Sequence, residues 1–177
     1  KDPGISIEEL AKEISMGGWP IHLNQGLSES MDVVRGYLDE IQRTDIDRVD
    51  NTQRDPRKVG ALLKSLARNV TTTATATTLA SDTAQADEQI HKQTAREYLD
   101  VLSRLMIVEN QPAWAPHLRS KVRLRKSSKR HFVDPSLAVA ALGASPEKLL
   151  NDLNYMGLLF ESMVVRDLRV YAQPLDA

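Results

Sequence analysis

The residues best suited to chemistry in this chain of 177 residues are the cations of one short stretch. Seven Lys and Arg side chains fall between positions 119 and 130, and no acid interrupts them: Arg119, Lys121, Arg123, Arg125, Lys126, Lys129 and Arg130. Such a stretch suits the phosphates of nucleic acid. A solvated loop tip, or a face that docks on another domain, would have the same composition. No aromatic residue interleaves with the cations, which disfavours stacking on single strands.

A second group of polar residues falls at the start of an amphipathic helix. The apolar spacing predicts a buried face at Ala95, Tyr98, Leu99, Leu102 and Leu105. The end of this helix that would enter a major groove carries Lys92, Gln93, Thr94 and Arg96. Glu97 and Asp100 lie on the same helix and would repel phosphate. A protein-binding role for this helix is therefore an open alternative.

The remaining reactive residues do not form a complete catalytic or metal site. The chain has no cysteine, which excludes disulfides and thiolate chemistry. The acids Asp45, Asp47 and Asp50 lack the glycine and glutamate of a calcium loop, so a solvated linker is expected there. The four histidines have no ligand spacing and are expected at the surface or hydrogen-bonded: His22, His91, His117 and His131. Trp19 and Trp114 are expected in the core.

The elements that position these groups are mostly helices with marked starts. Ser6 and Glu9 form a capping box, and Asp55 followed by Pro56 begins another helix. The threonine-rich residues 71–78 are predicted as a connector whose end caps a short helix near 79–84. A second capping box, Thr94 with Glu97, is predicted to begin the amphipathic helix.

Short β segments follow these helices. IVEN at 107–110 alternates as a strand, and KVRLR and RHFVD are β-like segments. The basic stretch then becomes the tip of a hairpin. Three helices followed by a hairpin with a long charged tip are typical of a winged helix-turn-helix. The predicted fold class is mainly α, built around this winged helix with its small β-hairpin and flanked by further helices.

The last predicted element is one long helix that begins at Ser145, Pro146 and Glu147. Gly157 would break or kink it, and its apolar residues continue to Leu168. A helix with an uncovered apolar face indicates either a further domain or a homodimer.

Charge and hydropathy limit the partners and the cellular location that the sequence allows. The net charge is −1, so any basic surface must be local. No apolar run approaches the roughly 18 residues of a membrane span. The first residues, KDPGIS, are not followed by the apolar region of a signal peptide. We therefore expect a cytoplasmic protein with no membrane partner.

Five segments in order resemble one known family. They are GGWP (17–20), RDPRKVGALLKSLARN (54–69), YLDVLSRLMIVENQPAWAPHLRS (98–120), RHFVDPSLA (130–138) and GLLFESMVVRDLRVYA (157–172). The family consists of predicted prokaryotic ATPases, in which an AAA-type P-loop module precedes a C-terminal domain of unknown function. That domain is similar to a winged helix joined to a fold like that of restriction endonucleases.

The resemblance implies that the chain is the middle of a larger protein. It implies a segment similar to an ATPase lid at 1–50, a winged helix at 51–144 and the first helices of a terminal domain at 145–177. The family's phosphate-binding loop, GxxxxGK[ST], is absent from the sequence. ATP and magnesium are therefore expected only in the parent protein. Glu161 matches an acid of the nuclease-like fold, but one carboxylate cannot hold a metal ion.

These observations predict a non-catalytic fragment rather than an enzyme. Its winged helix would bind duplex DNA or couple the ATPase to the terminal domain, and the missing ATPase and nuclease-like domains would be its partners. The alternative is a module for protein–protein interaction or oligomerisation that binds no nucleic acid.

Overall fold

The computed structural model of the chain describes residues 4–84, 88–114 and 127–172. These residues are mainly helical with a small two-stranded sheet, which confirms the predicted class at that level. The helices are α1 (Ile7–Met16), α2 (Leu27–Glu40), α3 (Ile46–Arg48), α4 (Pro56–Arg68), α5 (Ala76–Thr83), α6 (Lys92–Arg104), α7 (Pro135–Ala141), α8 (Pro146–Leu150) and α9 (Leu153–Ala172). A 3₁₀ turn spans Pro20–His22, a π-helical turn spans Ile41–Asp45, and the strands are β1 (Val108–Gln111) and β2 (Lys129–Phe132).

Most helix starts follow from local capping, as the sequence predicts. Ser6 and Glu9 form the reciprocal capping box of α1. The Asp55 side chain accepts the Arg57 N–H at the start of α4, with Pro56 in the first helical position. Thr75 accepts the Thr78 N–H at the start of α5. The threonine-rich stretch is therefore a connector that ends in a cap, as predicted.

The predicted capping box at Thr94 is wrong. Helix α6 begins at Lys92, and its N-cap residue, His91, makes no side-chain capping bond. Glu97 instead accepts a hydrogen bond of 3.0 Å from the Gln93 amide. The start of α6 is set by packing, because Ile90 and Ala95 are both buried on either side of it. A side-chain cap contributes only about 1 kcal/mol, less than the burial of two apolar residues.

The predicted single helix from residue 145 is also wrong, because it is two helices. Helix α8 ends at Leu150, and α9 begins at Leu153. The Asp152 carboxylate accepts the Tyr155 N–H at 3.0 Å, which gives α9 a cap of its own. Helix α9 then continues through Gly157 without the break that was expected there.

A short third segment lies beside the hairpin. Strands β1 and β2 are antiparallel, with Val108 opposite Phe132 and Gln111 opposite Lys129. On the other edge of β2, the Thr71 N–H donates to the Arg130 carbonyl at 2.8 Å, and the Arg130 N–H donates to the Thr72 carbonyl at 3.1 Å. The connector between α4 and α5 therefore pairs with β2 like a short strand.

One hydrophobic core runs through the described residues. It includes Ala11 of α1 and Leu159 of α9, both fully buried. Helix α7 lies at its centre and contacts α1, α2, α4, α9 and β2. The core continues across the boundaries at 50 and 144 at which the sequence was divided. Among the described residues, no helix is long and apolar enough to cross a membrane.

A buried carboxylate joins three distant parts of the chain, and we call this group the Asp134 junction. Asp134 accepts the Gly18 N–H at 2.8 Å and the Arg166 guanidinium at 2.5 Å. Its other oxygen accepts the N–H and the hydroxyl of Ser136 at 2.9 and 2.6 Å. The Ser136 hydroxyl in turn accepts the Trp19 indole N–H. The GGWP segment is thus a docking turn against the N-terminus of α7.

We expect Gly17→Ala to destabilise the fold by about 2–4 kcal/mol. Gly17 has φ +76 and ψ 172, a conformation that is essentially restricted to glycine. An added Cβ would also collide with the Asp134 carboxylate and lie 2.5 Å from Ser136 Oγ. Urea unfolding followed by circular dichroism would measure the change.

Gly36→Ala is the matched control. Gly36 lies inside α2, where an added Cβ meets nothing within 4 Å, so alanine should stabilise the helix by up to about 1 kcal/mol. Equal effects of the two substitutions would contradict the role assigned to Gly17.

Candidate nucleic-acid interface

The first turns of α6 present two cations to solvent. Lys92 and Arg96 are exposed, and neither forms an ion pair with any residue that the structure describes. Gln93 is also exposed, and its amide is bound to Glu97. Thr94 is half-buried. Three of the four predicted contact residues are therefore available on the surface, with the amide of Gln93 already bonded within the helix.

Acidic residues lie on the same side of α6. Gln93, Arg96, Glu97 and Asp100 line one shallow groove together with Arg54. Lys92 and Arg96 lie in the N-terminal turns, Glu97 and Asp100 follow toward the middle of the helix, and Arg104 lies in the last turn. The helix dipole adds to the attraction of a phosphate at the N-terminal turns, beside Lys92 and Arg96.

The side chain of Arg54 packs against Tyr98 of α6 and is itself held by acidic residues. The Arg54 side chain lies 6.0 Å from the centre of the Tyr98 ring and donates to both oxygens of Asp50, at 2.9 and 2.7 Å. Hydrogen bonds from Arg54 hold the pKa of Asp50 well below its usual value. Asp47 accepts the Arg54 N–H. These acids bind protein groups, and the described residues contain no cluster that could hold a metal ion.

Two cations of the basic stretch have partners within the protein. The Lys129 ammonium lies 2.6 Å from the Glu161 carboxylate of α9. Arg130 donates to the Ala74 carbonyl at 3.0 Å and to the Asn110 side chain at 3.1 Å, and burial lowers its pKa. Lys129 thus links the hairpin to α9, and Arg130 links it to the connector between α4 and α5. The other five predicted contacts, Arg119, Lys121, Arg123, Arg125 and Lys126, lie outside the described residues.

His131 is a hydrogen-bonded core residue, one of the outcomes expected from the sequence. It is 2 % exposed, with Nε2 3.0 Å from the Gln111 amide oxygen and Nδ1 3.3 Å from the Ser162 hydroxyl. An amide oxygen only accepts, so Nε2 carries the proton and Nδ1 accepts from Ser162. Burial lowers the pKa of His131; Lys129 lowers it further, and Glu161 opposes the shift. His22 is also buried, His91 is exposed, and His117 lies outside the described residues.

The expectation that both tryptophans lie in the core is wrong for Trp114. Its side chain is 79 % exposed, because Pro112 follows β1 directly and turns the chain away from the sheet. Trp114 lines a groove of about 610 Å³ at the base of the hairpin, with Thr73, Gln111, Lys129 and Glu161. Trp19 is half-buried and meets the Tyr37 ring edge-on. The proline after a four-residue strand was the available signal for Trp114.

One family matches the sequence over most of its length. A profile described as a domain of unknown function, DUF8612, matches residues 7–148. No curated protein and no solved structure matches the chain.

We expect the fold to lose stability between pH 7 and pH 5 through His131. Its pKa is lowered in the folded state from the ordinary value of 6.5, so protonation favours the unfolded chain. The contribution is complete above pH 6.5 and falls as the pH drops below it, by at most about 1.4 kcal/mol per pH unit for one proton.

His131→Gln should remove this dependence, since glutamine does not titrate. Chemical unfolding of both proteins at several pH values would give the difference. Parallel stability curves for wild type and H131Q over that range would show that His131 is not the group responsible.

Proposed function

The chain belongs to the family of the DUF8612 domain, a domain of unknown function, and we propose that it is a non-catalytic winged-helix module that binds duplex DNA. In this proposal the N-terminal turns of α6 and the basic hairpin tip contact phosphates. The module would work inside a larger cytoplasmic ATP-binding protein, which would supply ATP and magnesium sites of its own.

The short strand beside β2 is the observation that carries the proposal. A winged helix has three helices, a strand between the first two, and a hairpin whose second strand pairs with that strand. The order α4, Thr71–Thr72, α5, α6, β1 and β2 matches this sequence of elements. The two hydrogen bonds between Arg130 and Thr71–Thr72 put the segments in the corresponding order across the sheet. In that frame α6 corresponds to the recognition helix.

Charge supports the same assignment. Lys92 and Arg96 lie in the first turns of α6, where the helix dipole also favours an anion. Because Glu97 and Asp100 follow, we propose contacts to phosphate rather than reading of bases by this helix. Most of the affinity would then depend on salt and little on sequence.

We expect the double variant Lys92→Ala, Arg96→Ala to bind a labelled 20-base-pair duplex more weakly than the wild type. Each phosphate contact adds about one unit to the slope of log K against log salt, so the slope should fall by about two. Fluorescence anisotropy at four salt concentrations would measure both quantities.

The double variant Lys12→Ala, Lys148→Ala is the control. It removes the same charge from α1 and α8, which contact each other. It should retain the wild-type slope. Absence of binding at low salt, or equal loss in the two double variants, would contradict the proposal.

A second candidate function, self-association, is favoured by the exposed face of α9. Apolar residues three and four positions apart form what we call the α9 stripe: Leu153, Gly157, Phe160, Val164, Leu168 and Tyr171. This spacing is typical of packed helix pairs. Two carboxylates that border the stripe have cations within the chain: Glu161 pairs with Lys129, and Asp167 contacts Arg166, which Asp134 also contacts. Each of these carboxylates therefore already has a cation within ion-pair distance before a partner helix binds.

A second copy of the chain fits the α9 stripe. In an antiparallel pair that crosses near residue 162, Phe160 faces Val164 of the second copy, and Gly157 faces Leu168. Large residues then meet small ones on both sides of a two-fold axis. A stable dimer buries about 800 Å² per partner, so the stripe would form the centre of such an interface and its neighbours the rim.

We expect Leu168→Glu to shift the chain from dimer to monomer in sedimentation velocity at about 10–100 μM, because it would bury a carboxylate without a partner. Leu23→Glu changes a leucine outside the stripe that is even more exposed than Leu168 and should leave the dimer intact. A monomeric wild type at the highest concentration would rule out this second function.

A further inference from the structure

We infer that the groove at the base of the hairpin is a subsite for one unstacked nucleobase, with Trp114 as its stacking wall. This inference rests on the proposed binding of DNA and assigns it a second, distinct contact. It predicts that DNA with an unpaired base beside the duplex is preferred to a blunt duplex.

Trp114 has the exposure that a stacking residue needs. At 79 % exposed it leaves most of a large apolar surface in water, which is unfavourable. Every nucleobase has a face that covers such a ring, and base–aromatic stacking is a main source of affinity for unpaired strands. Trp114 lines a groove of about 610 Å³, and this volume is larger than one base occupies.

Polar groups with hydrogen-bonding capacity line the same groove. The Gln111 amide oxygen is bound to His131, and its NH₂ group has no hydrogen-bond acceptor among the described residues. The Thr73 side chain is exposed and likewise makes no hydrogen bond within the described part of the chain. Lys129 and Glu161 line the same groove, with the Lys129 ammonium donating to the Glu161 carboxylate. This set offers donors and an acceptor to the edge of a base whose face lies on Trp114.

The position of the groove connects it to the basic stretch. Trp114 and Ser127 both line it, and the cations from Arg119 to Lys126 lie between them in the sequence. In the sequence, the groove therefore adjoins the stretch that is proposed to contact phosphates. The Lys129–Glu161 pair carries no net charge, so it would tolerate a neutral base where a free carboxylate would repel the backbone.

The experiment compares two ligands: a blunt duplex and the same duplex with a three-nucleotide single-stranded extension. We expect the wild type to bind the extended duplex at least about fivefold more tightly, as one stacked base contributes. Its tryptophan emission should be quenched by the extended duplex only. Trp114→Ala should bind both ligands alike, and Trp114→Phe should keep most of the preference.

Controls separate this inference from the proposed function. Leu23→Ala truncates another exposed apolar side chain and should keep the wild-type preference. Equal affinity of the wild type for the two ligands, with unchanged emission, overturns the subsite and leaves duplex binding intact. Loss of the preference in Leu23→Ala as well would also overturn it. Failure to bind either ligand at low salt overturns the proposed function and the subsite with it.

Discussion

The Asp134 carboxylate is the interaction on which the arrangement of the chain depends. It is 4 % exposed, and its partners come from the end of α1, the start of α7 and the middle of α9. A buried carboxylate is tolerated only when its lone pairs are satisfied, and here Gly18, Ser136 and Arg166 satisfy them. Loss of Arg166 would leave an unpaired charge in the core, and loss of the Gly18 or Ser136 bonds would leave an oxygen of that carboxylate with fewer donors. The elements before and after the hairpin are therefore held in one geometry.

Contacts within the protein, including the Asp134 junction, determine which cations of the described residues can still bind a ligand. Arg166 is fixed by Asp134, while Lys129 and Arg130 hold the hairpin to α9 and to the connector after α4. Helix α9 is also bound to the end of α4, where its Tyr155 hydroxyl donates to the Ala67 carbonyl. The cations left over in the described residues include Lys92 and Arg96 at the start of α6. The described part of the chain thus presents a small basic surface at the start of α6 and an exposed tryptophan after β1.

Features with local causes could be predicted from the sequence, and those with distant causes could not. Ser6 with Glu9, and Asp55 with Pro56, act within one helical turn, so their helices begin where expected. The start of α6 depends on burial of Ile90 and Ala95, which no capping pattern records.

Contacts between residues that are distant in the sequence were likewise not predictable at the candidate nucleic-acid interface. Seven cations between 119 and 130 were visible as a group, but the partners of Lys129 and Arg130 come from Glu161, Asn110 and Ala74. The GGWP segment stood out as a motif, yet Gly18 meets Asp134 from 116 positions away. Trp114 was expected in the core because aromatic residues usually lie there. Its exposure follows from its position after Pro112, beyond the end of β1.

The most direct measurement is mapping of backbone amide and indole N–H shifts by NMR as a short duplex with a single-stranded extension is added at low salt. The account predicts shifts at Lys92–Arg96, at the Trp114 indole and at Ser127, with α1 and α8 unchanged. The amides of the Asp134 junction should also stay in place, because the frame does not rearrange. Absence of any shift, or shifts confined to the α9 stripe, would contradict a module that binds nucleic acid.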